Sequence, residues 1–156
     1  MADIIVRRAE SPADRQACYA IRAAVFAREQ GVQGAERGDR DDPVAVHALG
    51  LVDNVPAGTG RLHVIQTRSG PEGQIAWVSV LPQFRHAGVA TAVMKHLMDA
   101  ARDLHLPRVV LSAQTYAKGL YEQFGFVPTS TPFVMANIEH QLMVVYLAPE
   151  GVPKRR

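Results

Sequence analysis

Trp77-Val78-Ser79-Val80-Leu81-Pro82-Gln83-Phe84-Arg85-His86-Ala87-Gly88-Val89-Ala90-Thr91 reads as a strand, a proline-marked turn and the opening of a helix in one run. Downstream, Val89, Val93, Leu97, Ala100 and Leu104 recur at spacings of 4, 4, 3 and 4, the apolar stripe of an amphipathic helix that Pro107 stops. The first N–H groups of a helix have no intrahelical partner and carry partial positive charge. Small residues at that point, here Gly88 and Ala90, let a diphosphate approach the backbone directly. Arg85 adds a full charge and Thr91 a hydroxyl. Turn chemistry alone would also place one glycine at a helix start. The run is neither a GxxxxGK[ST] loop nor a GxGxxG fingerprint.

Working outward, residues 44–53, 58–66 and 74–81 read as strands around the turn texts Asp53-Asn54-Val55-Pro56 and Gly70-Pro71-Glu72-Gly73, an antiparallel meander. Ile4, Ile5 and Val6 form a first strand. A helix follows, with Ser11 as cap, Pro12 at its first position and Asp14 at its positive end. Its buried stripe is Cys18, Ile21 and Val25, and Gly31 ends it. Residues 31–43 are polar and glycine-rich, a loop of the kind that borders sites. Beyond the long helix come the buried strand Arg108-Val109-Val110-Leu111, a helix over 115–124 closed by Gly125, a strand at 126–127 or 133–135, and a last strand at 141–147. The fold class is α/β (α+β), with a central mixed, mostly antiparallel sheet flanked by helices in the order β-α-(α)-β-β-β-α-β-α-β-β.

The chain of 156 residues, 47% apolar and 21% charged, suits one domain with a real core, read as 1–149 with a basic tail at 150–156. Its 17 basic and 15 acidic residues give a net charge of +2, and the only basic cluster is Lys154-Arg155-Arg156, so no nucleic-acid partner is expected. The single Cys18 excludes an internal disulfide, and the six histidines show no HxxxH or HExxH spacing, so no metal is expected. Arg7, Arg8 and Glu10 interrupt any signal-peptide core, and no apolar run approaches a membrane span. The expectation is a cytoplasmic protein with a small-molecule or peptide partner and no membrane.

Arg85-His86-Ala87-Gly88-Val89-Ala90 resembles the Arg/Gln-x-x-Gly-x-Gly/Ala signature of the GNAT superfamily of acyl-CoA-dependent N-acyltransferases. Some 30 residues on, the run from Gln114 through Ala117, Tyr121 and Glu122 to Gly125-Phe126 is similar to that family's Asn-x-x-Ala-x-x-Phe/Leu-Tyr-Glu-x-x-Gly-Phe. The element order is also the GNAT order, so the resemblance covers nearly the whole chain. Val25-Phe26-x-x-Glu29-Gln30-x-Val32, then Glu36, Asp39, Asp42 and His47, Gly60-Arg61-Leu62, and Phe133, Ile138, His140 and Met143 resemble the ElaA/YjcF-like bacterial branch. His86 stands where a Gly is common, Gln114 where Asn is frequent, and Trp77 where the branch tends to have Arg.

The resemblance implies acetyl-CoA, or another short acyl-CoA, as cosubstrate and no metal. The backbone N–H of Val78 would face the thioester carbonyl, and Val80 would pair with the pantetheine arm like an added strand. Arg85, His86, Ala87, Gly88, Val89, Ala90 and Thr91 would hold the diphosphate, with Gln114 and Ala117 completing the cofactor side. Tyr121 would be the general acid for the departing thiolate; the plainer reading is a core aromatic beside Leu120 and Phe124. No residue declares itself as the base. Glu29, Gln30, His47, Arg61 and His140 are candidates for the acceptor side. His47 reads equally well as a satisfied core histidine sharing a face with Leu49 and Leu51, and His140 as a surface strand residue. Glu36, Asp39, Asp41 and Asp42 read as a solvated loop or as bait for a cationic acceptor. The function so implied is acyl transfer to a primary amine of a small molecule or peptide. A CoA-binding regulatory module without transfer is the alternative, and pairing of C-terminal strands would make a homodimer.

Overall fold

A computed structural model describes residues 2–35 and 38–148; Glu36 and the basic tail lie outside the described residues. Strand β1 (Ile4–Arg8) leads into α1 (Pro12–Arg22), where Ser11 Oγ accepts from the Asp14 N–H at 3.0 Å and Pro12 takes the first turn, as the capping pattern predicts. The helix then widens into a π-helical segment over Ala23–Glu29, with the Gln30 N–H reaching back to the Val25 carbonyl at 3.0 Å, and Gly31 ends it at φ 73°. The meander follows as β2 (Val46–Val52), β3 (Val55–Thr67) and β4 (Gly70–Val80). Next come α2 (Val89–Asp103), β5 (Arg108–Gln114) and the short α3 (Lys118–Glu122). Strands β6 (Val127–Pro128), β7 (Phe133–Met135) and β8 (Ile138–Tyr146) complete the chain.

The sheet runs β1-β2-β3-β4-β5-β8-β6, with β7 also on β8. Every pair is antiparallel except β4 with β5. One sheet face packs α2 in the main core of Val89, Val93, Met94, Leu97 and Met98. The other packs α1 through Cys18, Ile21, Leu49 and Leu51. Helix α2 lies close on β3: a Cβ on Gly58 would come within 2.7 Å of Val89 Cγ1, and one on Gly60 within 2.9 Å of Leu97 Cδ1. That approach fixes the start of α2 beside the end of β4.

Boundaries differ from the sequence reading in several places. The β3–β4 turn is Arg68-Ser69, and Gly70-Pro71-Glu72-Gly73, read as that turn, instead open β4 in register with β3; the helix read over 115–124 is a 3-10 turn at Thr115–Ala117 followed by α3, and β8 starts at Ile138. Residues Asp42–Val44 form a 3-10 turn, so β2 starts at Val46. The β2–β3 turn is only Asp53-Asn54, both left-handed (φ 48° and 68°), the two-residue hairpin that suits strand twist, and Val55 and Pro56 belong to β3. Leu104 is half exposed because α2 ends at Asp103, while Met94, Met98 and Ala101 broaden the buried stripe. The two alternatives for the penultimate strand both form, and each pairs with β8. Among the described residues no helix is long and apolar enough to cross a membrane.

Candidate active site

The parallel pairing of β4 with β5 covers only Gly73 to Ile75 against Val109 to Leu111. Just beyond it, the register of β4 against β3 slips between Thr59 and Arg61, and Trp77 sits at φ 61°. This is a β-bulge: one extra residue turns the end of β4 away from β5. A cleft opens between the last residues of both strands. It holds a smaller cavity of about 230 Å³ and a larger groove of about 710 Å³, which share Val78, Tyr116, Ala117 and Tyr121 in their walls.

The larger groove runs along Val78 and Val80 to Arg85, His86 and the first residues of α2. The first intrahelical bond of α2 is from the Ala92 N–H to the Gly88 carbonyl, at 3.1 Å. The N–H groups of Val89, Ala90 and Thr91 therefore have no partner within the helix, and no side chain caps it. Gly88 adopts φ 90°, and a Cβ there would meet nothing nearer than Ile4 Cδ1 at 3.9 Å. His86, in the place of the expected Gly, takes the left-handed conformation a Gly would take freely, with φ 63°, so the loop keeps its shape at some cost in strain. An open, glycine-turned N-terminus with free donors fits a diphosphate. Of the residues expected on the cofactor side, Ala87 lies in the loop without lining the groove, and Gln114 lines the smaller cavity instead.

Gly88→Glu tests this end of the groove. The new carboxylate has room, so the fold persists, while CoA affinity falls on the order of tenfold or more, each tenfold being about 1.4 kcal/mol. Gly88→Ala shares the backbone strain without the charge, and calorimetry on both separates the two effects. Equal CoA affinity in wild type and Gly88→Glu would place the diphosphate elsewhere.

Glu29 and Gln30, expected on the acceptor side, line the larger groove. The π-helical turn carries them there. Glu29 accepts from Arg85 (Nη1 to Oε2, 2.7 Å), and this guanidinium holds the Glu29 carboxyl below its usual range; Arg85 Nε donates to the Val80 carbonyl at 3.0 Å. Gln30 and Gln114 exchange amide hydrogen bonds (2.8 and 3.2 Å), and Gln30 also donates to the Tyr116 hydroxyl at 3.3 Å. This amide pair bridges the cleft.

The smaller cavity is walled by Phe26, Val32, Trp77, Met135, Ile138 and His140 at one side and reaches Tyr121 at the other. Tyr121 is 8% exposed and packs edge-on against Phe126 at 6.2 Å. Burial pushes its phenol well above the usual value of 10.0, so it stays protonated. His140, on β8 opposite Gln114, stacks on Phe133 at 5.9 Å, and its Nδ1 lies 2.7 Å from the Ile138 carbonyl oxygen. Among the described residues no group of three or more His, Cys, Asp or Glu is placed to hold a metal ion.

Behind Trp77 lies a charge cluster that the sequence reading missed. Arg22, 1% exposed, donates to both carboxylate oxygens of Asp42 at 2.8 and 3.3 Å and lies 4.6 Å over the Trp77 ring. Arg61 donates to Asp42 at 3.0 Å and to Asp39 at 2.6 Å, and Asp39 accepts from Trp77 Nε1 at 3.2 Å. These carboxylates are not a solvated loop: desolvation opposes their charge, but the guanidiniums prevail, holding Asp39 at about 2 and Asp42 below its usual range. His47 is a core histidine after all, 1% exposed, with Nε2 donating to the Asp42 carbonyl at 2.8 Å. Arg61, 4% exposed and spent on two carboxylates, likewise lines neither cavity. Of the residues read for the acceptor side, His47 and Arg61 thus line neither cavity, and His140 lines the smaller one. The missed signal was Arg22 itself, four residues after Cys18 in the apolar stripe of α1, a position where an arginine needs a buried carboxylate.

Burial lowers the pKa of His47 and of His63 from the ordinary 6.5. The unfolded chain then binds more protons than the folded one below that value, so stability is fully present above about pH 7 and declines on acidification towards pH 5. Asp39 and Asp42 add a second decline from about pH 4 downward as they protonate. A melting temperature unchanged between pH 7.5 and 5 would contradict the first expectation.

Residues 7–126 match the family described as Acetyltransferase (GNAT) family. The chain is 32% identical over 127 residues to a Bacillus subtilis protein described as uncharacterized N-acetyltransferase YjcF, a match covering 81% of this chain and 88% of that one. Among solved structures, an acyl-CoA N-acyltransferase from Pseudomonas aeruginosa superimposes with a TM-score of 0.77 at 25% identity, over 92% of this chain and 99% of the other. Escherichia coli ElaA shares the fold, with a TM-score of 0.75 at 24% identity and the same coverage of 92% and 99%.

Proposed function

Since the chain belongs to the GNAT family of acetyltransferases, we propose that it moves an acetyl or other short acyl group from acyl-CoA to the primary amine of a small molecule or peptide in the cytoplasm. The observation that carries this is the meeting of two unlike spaces at Val78 and Tyr121: a groove ending in free helix N–H donors, and a smaller, mainly apolar cavity. Bound acyl-CoA supplies an activated thioester. The N–H groups of Val89, Ala90 and Thr91 hold the diphosphate, and Val80 offers backbone to the pantetheine arm as an edge strand does. The Val78 N–H, at the point where β4 has left β5, stabilises the oxyanion. Tyr121, kept protonated by burial, donates to the leaving sulfur.

The acceptor enters by the smaller cavity. Among the described residues its lining includes Phe26, Val32, Trp77, Met135 and Ile138 but no Asp or Glu, and Asp39 and Asp42 of the acidic loop are neutralised by Arg22 and Arg61. This supports an amine with an apolar body over a polycation. Thiol release from acetyl-CoA in the presence of apolar amines, polyamines and peptides tests both points. Release should depend on the amine and favour the apolar set. Tight CoA binding with no transfer to any amine would make the protein a CoA-binding module instead.

A further inference from the structure

Transfer requires that the acceptor amine lose a proton, and the smaller cavity limits which group can take it. Among the described residues, its titratable lining residues are Tyr116, Tyr121 and His140. Tyr121 is a donor, held protonated by burial. Glu29 lines the other groove and is engaged by Arg85. Glu139, the neighbour of His140 in β8, accepts from Thr115 Oγ1 at 2.9 Å. Imidazole is the side chain that exchanges a proton near neutral pH.

The hydrogen bond of His140 decides the rest. A backbone carbonyl only accepts, so the 2.7 Å contact to the Ile138 oxygen means that Nδ1 carries its hydrogen. In the neutral ring the lone pair then belongs to Nε2. Phe133 stacks on the ring at 5.9 Å, and the residue is 6% exposed, which restrains its orientation. The described residues that share its cavity include no Asp, Glu, Lys or Arg: Ser112 and Gln114 come from β5, Tyr116 from the turn before α3, Tyr121 from α3 and Trp77 from β4, while Phe133 of β7 stacks on the ring.

We propose that Nε2 of His140, freed by the Nδ1–H bond to Ile138 and facing the acceptor cavity, is the general base of the transfer proposed above. The amine nitrogen forms the new C–N bond and the C–S bond breaks. His140 Nε2 takes the proton from nitrogen, directly or through one water, while Tyr121 gives its proton to sulfur. His140 then returns a proton to solvent and Tyr121 regains one, so the cycle balances to amide and free thiol.

The test compares wild type, His140→Gln and His140→Asn, measuring kcat/KM against pH with acetyl-CoA and an apolar primary amine. CoA affinity is measured by calorimetry and folding by circular dichroism. Both variants should fold and bind CoA as wild type does. At neutral pH they should lose about 10² to 10⁴ in kcat/KM. The acid limb of the wild-type profile should give way to a rate that climbs with deprotonation of the amine in bulk. Transfer near wild-type rates, or an unchanged acid limb, overturns the base while leaving the transferase reading intact. Wild type that binds CoA but acylates no amine overturns both. Nitrogen-resolved NMR of the unmodified protein adds a readout independent of activity and of variant folding. A neutral His140 with hydrogen on Nδ1 supports the assignment, and one with hydrogen on Nε2 overturns it.

Discussion

Tyr121→Phe should lower kcat by about 10² to 10⁴, the usual worth of a positioned proton donor, with CoA affinity nearly unchanged. Phenylalanine keeps the ring and its edge-on contact with Phe126, so little packing is lost and the deleted hydroxyl is the variable. The pH dependence sharpens the test. Because burial lifts the phenol above its ordinary range, its ionisation removes no activity below about pH 10. Any alkaline limb seen below that pH belongs to another group and should persist in the variant. Wild-type kcat in Tyr121→Phe, with the chemical step shown to limit the rate, would reduce Tyr121 to a packed aromatic.

Asp42→Ala should cost about 3–5 kcal/mol of folding stability, read from urea or thermal denaturation, because it strands buried positive charge. Asp42 is the carboxylate that Arg22 and Arg61 share, and it also accepts the Asp39 N–H at 2.7 Å. Arg61 keeps Asp39; Arg22 keeps only the faces of Tyr19 and Trp77, at 5.1 and 4.6 Å. Since this cluster backs Trp77, a folded variant should also show a raised acceptor KM with unchanged CoA affinity. A loss under about 1 kcal/mol would mean that the two arginines find solvent or other partners.

The parts of this site that rest on contiguous text were legible. Residues 85–91 announced a helix start with access for an anion, and the run around Tyr121 announced the second wall. Less was legible where a single residue's backbone sets the geometry. The bulge at Trp77 cannot be heard in an apolar strand that continues on both sides of it. Glu29 and Gln30 line the larger groove at the end of a π-helical turn whose residues read as ordinary helix. The charge cluster joins residues about 20 and 40 apart in sequence, which no local pattern links, although Arg22 in an apolar stripe was a flag. His140 was singled out, but the proton on its Nδ1 is fixed by a carbonyl two residues away that only the strand geometry brings within reach.

Attempts to make this protein more heat-resistant meet a boundary at Trp77. Its left-handed φ of 61° carries a strain of about 1–3 kcal/mol, and smoothing such positions is a standard route to higher melting temperatures. Gly at this position would relax the backbone but surrender the Phe26 contact, the Arg22 stacking and the Asp39 hydrogen bond. Deleting the residue would do more, restoring an even pleat along which β4 and β5 could zip together past Ile75 and Leu111. The product would be a more regular sheet without the cleft in which transfer is proposed, and it would forfeit the same Phe26, Arg22 and Asp39 contacts, so the strain at Trp77 is held in place by the contacts that keep the cleft open.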